Sequence, residues 1–293
     1  MSQQKLLRER IVEKFNDMPR QLQQAARHVL EHPDDVALLS MREVARQAGV
    51  QPATMTRLAK FLGLTGYEEI KASHTEAMRV QAEGFAHQQQ RVTEDPSGSG
   101  AAMLQDLATQ IARLAEPASL AQIEAAAERL AKASRIFVLG LRSTHLVAWH
   151  FRYVMSLLDE RVHHLDGPAG TIGDGLMRAG PGDVLLAVSI NPYARQTAEL
   201  VRIARNKGLK VVAITDSEVS PLAGLANDLV VCPAQQGATF FHTLVPALAV
   251  SELLCGLLAN RDPAATLAAL EKTDRHLSQL ETYIRKLPSR GSI

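Results

Sequence analysis

Residues 40–62 read SMREVARQAGVQPATMTRLAKFL, and their spacing predicts two short helices joined by a tight turn. Ser40 is a good N-cap, and Glu43 three residues on completes a Ser-x-x-Glu capping box. Met41, Val44 and Ala45 form the inward face of the first helix. In Ala48-Gly49-Val50, Gly49 can take the positive φ that a sharp reversal needs, and Val50 plugs the core. Gln51 starts the second helix, with Pro52 where a missing N–H does no harm. Met55, Leu58, Ala59 and Leu62 face inward. Gln51, Ala53, Thr54, Thr56, Arg57 and Lys60 are left outward or near the N-terminal end, and with Ser40 they form a candidate DNA-contacting set. Gln suits adenine, Thr a phosphate or a thymine methyl, and Arg guanine or phosphate. The same turn also occurs in a generic corner of two helices, where Arg57 would pair with a nearby acid.

The surrounding composition frames this segment. The chain has 293 residues, 32 Lys+Arg against 31 Asp+Glu, and 4% aromatics. That length suggests about two domains. An apolar fraction of 46% excludes a wholly disordered chain. Two cysteines, Cys232 and Cys255, exclude a disulfide scaffold and leave no thiol set for a zinc finger. The N-terminus lacks the apolar core of a signal peptide, and no apolar run nears the roughly 18 residues of a membrane span. A membrane partner is therefore not expected, and a cytoplasmic location is. The near-neutral total by itself argues against nucleic acid, but residues 40–64 hold Arg42, Arg46, Arg57 and Lys60 against Glu43 alone. A neutral whole is compatible with a localised basic contact.

Outward from the turn, residues 1–90 read as all helix. Leu6, Leu7, Ile11, Val12 and Phe15 recur at helical spacing; Pro19 opens a second helix that Pro33 ends; a polar helix runs from about Tyr67 to Gln90. Residues 91–102 carry Pro, Gly and Ser with little apolar content and read as a linker. Residues 103–293 alternate strand and helix. Strands are expected at 135–139, 161–165, 183–188, 210–214 and 228–231. Helices are expected at about 143–158, 195–207, 241–258 and 263–286. Continuous apolar runs such as Val184-Leu185-Leu186-Ala187-Val188 suit parallel strands covered on both faces. The order implies a doubly wound α/β layer with a parallel sheet.

The stretch from Met18-Pro19 to Gly66-Tyr67-Glu68-Glu69, with Ala45, Ala48-Gly49-Val50, Thr54, Arg57 and Leu62-Gly63, resembles the N-terminal domain of RpiR-type bacterial transcription regulators. The C-terminal part, placed at 103–293 with a final helix that lies outside the match, resembles the sugar isomerase (SIS) domain that follows in that family. The resemblance implies a DNA-binding regulator made of an all-α helix-turn-helix domain and an α/β SIS domain for effector binding and oligomerisation. Its expected partners are operator DNA, as an inverted repeat, a small anionic effector that is by family default a phosphosugar, and the chain itself as homodimer or homotetramer.

In an open α/β sheet, ligands sit beyond the C-terminal strand ends. Gly140-Leu141-Arg142-Ser143-Thr144-His145 follows the first strand; Arg142, Ser143 and Thr144 sit at a helix N-terminus, where free N–H groups attract anions. Ser143 as a simple cap is the alternative. Ser189-Ile190-Asn191-Pro192-Tyr193-Ala194-Arg195-Gln196-Thr197 follows the third strand, where phosphosugar-binding SIS domains carry a compact Ser-x-Ser-Gly-x-Thr loop. Ser189 and Thr197 match its ends, but this loop is longer and lacks the Gly. Tyr193 and Arg195 are candidates to cover and pair an anion; surface packing and a solvated ion pair are the alternative. The departure weakens the phosphosugar default and opens the way to an acidic metabolite without phosphate. Asp216 and Ser217 stand at the end of the fourth strand, as ligands or as caps. The Gly-rich stretch 167–175 lacks GxGxxG order and reads as loop.

The ten histidines form no metal pattern, so no metal or cofactor is expected. Isomerases of this fold need placed acid–base groups; His242 and Glu252 are the candidates, with ordinary structural roles as the alternative. No catalytic residues are assigned. The rival readings are a phosphosugar isomerase-type enzyme with a helical extension, and an oligomeric scaffold. The Leu253, Leu254, Leu257 and Leu258 face, with the final helix, is expected to supply self-association.

Overall fold

The computed structural model describes residue 7 and residues 10–11, 13–82, 89, 100–218, 220–232 and 241–283. They fall into two compact units, the second beginning at Leu104.

The first unit is helical. A 3-10 turn (Phe15–Asp17) leads to α1 (Arg20–Glu31), α2 (Pro33–Leu38), α3 (Met41–Gln47), α4 (Pro52–Phe61) and α5 (Tyr67–Ala82). Pro33 both ends α1 and starts α2, a helix the sequence reading passes over; proline needs no N–H at a first turn. Ile11, Val29, Val36, Val44, Met55, Leu58 and Ile70 are fully buried in one core. Tyr67 is buried with them, which pushes its phenol up to about 12. The expected first helix falls partly outside the described residues, as does the end of the expected 67–90 helix.

The second unit begins within α6 (Gly100–Leu114), which α7 (Pro117–Ala131) follows; neither helix is anticipated from sequence. Gly100–Ala102, read as linker, are helical; the rest of 91–102 lies outside the described residues. There follow β1 (Ile136–Gly140), a 3-10 turn (Arg142–Thr144), α8 (His145–Ser156), β2 (Val162–His164), two 3-10 turns within 168–176, β3 (Val184–Ser189), α9 (Arg195–Asn206), β4 (Lys210–Thr215) and β5 (Asp228–Val231). The helices α10 (Val245–Ala259) and α11 (Pro263–Gln279) close the unit. The expected 241–258 helix starts later, with Pro246 in its first turn.

The sheet is parallel, in the order β2-β1-β3-β4-β5. Alternate strand residues feed two cores. Ile136, Val138, Leu186 and Val212 meet α7, α8 and α10 on one face, while Phe137, Leu139, Leu185 and Val211 meet α9 on the other. Both faces of the central strands β1 and β3 are covered, which is why their sequences are almost wholly apolar, whereas the edge strand β2 is Val-His-His with His163 exposed. Of the four leucines expected to serve self-association, Leu253 is exposed, while Leu254 is taken up by the first of these cores and Leu257 and Leu258 are half-buried against it. Cys232 and Cys255 are buried there as free thiols, and burial pushes both up to about 12.

At the foot of the sheet Arg135 grips the buried Asp183 through two bonds, of 2.7 and 3.1 Å. Burial alone would raise the Asp183 carboxyl, but this guanidinium and the Gly180 N–H hold it below its ordinary value.

Candidate DNA-reading helix and effector crevice

In the helical unit, α3 and α4 meet at a turn built as the sequence demands. Gly49 has φ +65°. Its neighbours close the turn through Gly49 N–H to Arg46 O (3.1 Å) and Val50 N–H to Ala45 O (3.0 Å). The Gln24 amide on α1 donates to Ala48 O at 3.0 Å, fixing the turn to the rest of the core. A Cβ at position 49 would lie 3.0 Å from that amide, so space and backbone both favour glycine.

Ser40 caps α3, its hydroxyl accepting from Glu43 N–H at 3.3 Å. The Glu43 carboxylate turns to Arg46 instead of completing the box, and that hydrogen bond holds it below the ordinary carboxylate range. Arg46 is thus largely neutralised. Arg42, Arg57 and Lys60 are exposed and make no ion pair among the described residues. Gln51, Ala53, Arg57 and Lys60 are exposed, and the last three line one face of α4. Thr56 is half-buried and donates to the Met41 sulfur at 3.6 Å. Thr54 departs from expectation: it is buried beside Met55, and its hydroxyl has no hydrogen-bond partner among the described residues. Its methyl lets it serve the core face, so it does not present itself to a ligand.

In the second unit, the strand order reverses between β1 and β3, and the crevice at such a reversal is where open α/β sheets bind ligands. Both predicted loops leave from it, since Gly140 pairs with Val188 in register. Gly140 has no room for a side chain: a Cβ would stand 2.4 Å from Thr144 O and 2.9 Å from Ala148 Cβ. Arg142 turns the chain at φ +58° and is exposed; Ser143 is half-buried. Thr144, expected to face the ligand, is instead buried. Its hydroxyl is shared between Leu141 O (2.8 Å) and Val188 O (3.0 Å), which fastens one loop to the other.

The second loop has a different organiser from the one expected. Asp216, just past β4, accepts the Tyr193 hydroxyl at 2.9 Å, Asn191 N–H at 3.4 Å and the Thr215 hydroxyl at 3.4 Å. The only sequence signal for this was an acid directly after a strand. Tyr193 is therefore directed to Asp216. Arg195 is 92% exposed and pairs with Glu199 one turn along α9 at 2.8 Å, the solvated pair weighed against an anion contact. Ser189 and Thr197 are buried, contrary to an open phosphate loop. Thr197 falls on the inward row with Leu200, Val201 and Ala204. The hydroxyls of Thr197 and of Ser220, in the loop after β4, are buried without a hydrogen-bond partner among the described residues. No side chain caps α9; the Thr197 N–H donates to Ala194 O at 3.0 Å, which leaves the Arg195 and Gln196 N–H groups without a side-chain cap.

Of the acid–base candidates, Glu252 is exposed on α10, and His242 stacks on Phe241 at 4.3 Å. Among the described residues there is no His/Cys/Asp/Glu group able to hold a metal, and no helix is long and apolar enough to cross a membrane.

A helix-turn-helix unit followed by a parallel sheet with a ligand crevice at its reversal defines a class: DNA-binding regulators with a sugar-isomerase-type sensor fold. Comparison with known proteins bears this out. Residues 5–79 match the helix-turn-helix domain of the rpiR family, and residues 129–255 match the SIS domain. An uncharacterised HTH-type transcriptional regulator of Haemophilus influenzae is 26% identical over 84% of this chain and 87% of its own length. The chain also matches bifunctional glk proteins of Burkholderia, of whose length it spans 34%. Among solved structures, the sugar isomerase domain of an RpiR transcription factor from Sphaerobacter thermophilus is similar, with TM-score 0.54 and 28% identity over 62% of this chain and 99% of that one. The Vibrio vulnificus NanR protein, complexed with ManNAc-6P, shares the fold over 94% of this chain and 99% of its own, at TM-score 0.51 and 20% identity. The chain belongs to the RpiR-type transcription regulators.

Proposed function

We propose that this regulator reads operator DNA by laying α4 in the major groove, with two heads on an inverted repeat. The observation that carries the reading is the exposed row Ala53, Arg57 and Lys60, whose two cations are unpaired among the described residues. Ser40, Gln51 and the half-buried Thr56 flank the row and complete the contact. Thr54 supports it from the core. Acting on the chromosome, the protein works in the cytoplasm.

The β1/β3 crevice takes a small anionic metabolite. The uncapped start of α9 and the unpartnered Thr197 hydroxyl supply donors, Arg142 and Arg195 stand exposed on its two loops, and Ser143 adds a hydroxyl. A phosphosugar fits this chemistry, and the ManNAc-6P held by NanR, a fold relative, supports that class. The ligand acts by preferring one arrangement of the protein over another. The reading includes no catalytic step, and common sugar phosphates incubated with the protein should not be isomerised.

The test is Arg57→Ala, read by fluorescence anisotropy on operator fragments recovered by genome-wide mapping. Affinity should fall about tenfold or more, and the slope of log K against log salt should become shallower by about one per lost phosphate contact. Unchanged affinity and slope would remove α4 from the interface.

A further inference from the structure

We propose that the outer face of α8 is where a second copy of this chain docks, with Trp149 at the centre of a two-fold contact. This deepens the two-headed reading above by naming the surface that would bring the heads together.

The chain holds one Trp and four Tyr. Three of these five rings stand on this surface and in water: Trp149 is 49% exposed, Tyr153 42% and Tyr283 61%. Trp149 stacks on Tyr153 with centroids 5.2 Å apart and planes 8° from parallel, and the Tyr153 and Tyr283 hydroxyls meet at 3.4 Å. Leu146, 54% exposed, continues the row one turn back, giving helical spacing at 146, 149 and 153. The opposite side of α8 already buries Val147, Ala148, Phe151 and Met155. A helix that is apolar on both sides needs partners on both sides. Scarce large aromatics left in water on one face are the composition of an interface centre, where Trp and Tyr dominate binding energy.

The charges select the partner. A groove of about 460 Å³ runs between α8 and β2, lined by Trp149 and Tyr153 and by Arg152, His163, His164 and Asp166. Arg152 is half-buried with no ion pair among the described residues, and the 55% exposed Asp166 side chain has only His164, at 3.9 Å. A two-fold contact presents each patch to its own copy, so it must carry both signs. Arg152 facing the partner copy's carboxylate satisfies that condition, whereas an acidic or a basic partner would leave one of the two unpaired. The His164 side chain is 8% exposed, and its Nε2 has no hydrogen-bond partner among the described residues. β2 is the edge of the sheet, with one side unpaired.

Because Trp149 is the chain's single Trp, its emission reports this face without labelling. Full-length protein, free of DNA and ligand, is followed by sedimentation and by Trp emission and acrylamide quenching across a dilution series. The expected result is a dimer whose dissociation moves the emission to longer wavelength and increases quenching in parallel. Leu146→Arg and Tyr153→Arg should each halve the sedimenting mass at concentrations where the wild type is dimeric, with unchanged circular dichroism. The proposal falls if the wild type is monomeric throughout, if its dimer leaves Trp149 as quenchable as in the monomer, or if folded variants remain dimeric. A small molecule that protects Trp149 in a protein that stays monomeric would also overturn it. The wild-type measurements need no variant to fold. Operator binding by dimeric wild type is scored separately, so failure of the DNA reading is not confused with failure of this one.

Discussion

Thr54 and Thr197 show what a single side chain can conceal. Both are threonines near the start of a helix, both are expected from sequence to meet a ligand, and both are buried with hydroxyls that have no hydrogen-bond partner among the described residues. A threonine is half methyl, so polar identity does not decide which face it joins. A buried hydroxyl without a partner destabilises by about 1–3 kcal/mol, and the two positions should respond differently to its removal. Thr54→Val should raise stability by about 1 kcal/mol in urea titration and leave operator affinity unchanged. Thr197→Val should likewise keep or raise stability, yet abolish the thermal shift produced by a phosphosugar that stabilises the wild type. If Thr197→Val keeps that shift, the hydroxyl is no part of the crevice. Gly49, by contrast, was fully legible: only one kind of residue suits a positive φ in so short a turn.

The elements differ in how much the sequence disclosed. The central strands are legible because a strand buried on both faces must be nearly all apolar, the edge strand β2 is legible only from its place between α8 and β3, and Gly208, at φ +88°, marks the end of α9. The helices α6 and α7 were hidden, because an Ala-rich stretch beside a Pro/Gly/Ser segment carries no sharp boundary signal. Pro33 misled because proline stops one helix and starts another equally well. The two loops at the β1/β3 reversal follow from topology, but their detail does not. Nothing local in Arg195 says that Glu199 will claim it, and nothing in Asp216 says that Tyr193 and Asn191 will converge on it. Thr144 ties the first loop to the end of β3 through its hydroxyl, and its backbone carbonyl sits where a Cβ on Gly140 would fall. Gly140→Ala should therefore destabilise the sensor unit by about 1–3 kcal/mol in urea titration, and weaken the ligand response more than a neutral core substitution of equal cost. Wild-type stability in that variant would mean that the loop yields freely.

At the scale of the molecule, acidity should act through the α8/β2 edge. Burial holds His164 below its ordinary imidazole value, and the neighbouring His145 and Arg152 lower it further, while Asp166 opposes them. The folded chain thus keeps this ring neutral when the unfolded chain accepts a proton, below about pH 6.5. Its contribution to stability is complete above that pH and is lost as pH falls toward the depressed folded value. Melting temperature should decline through this window, and His164→Asn, which cannot titrate, should flatten the decline; an identical profile would place the titration elsewhere. The burial of both native thiols has a practical meaning of another kind. Thiols raised to about 12 stay protonated and inert toward alkylating dyes at neutral pH. A cysteine introduced by Ala53→Cys, on the exposed row of α4, would be the reactive thiol in the native protein. A fluorophore placed there could follow each engagement of the head with DNA in real time, in otherwise unmodified protein.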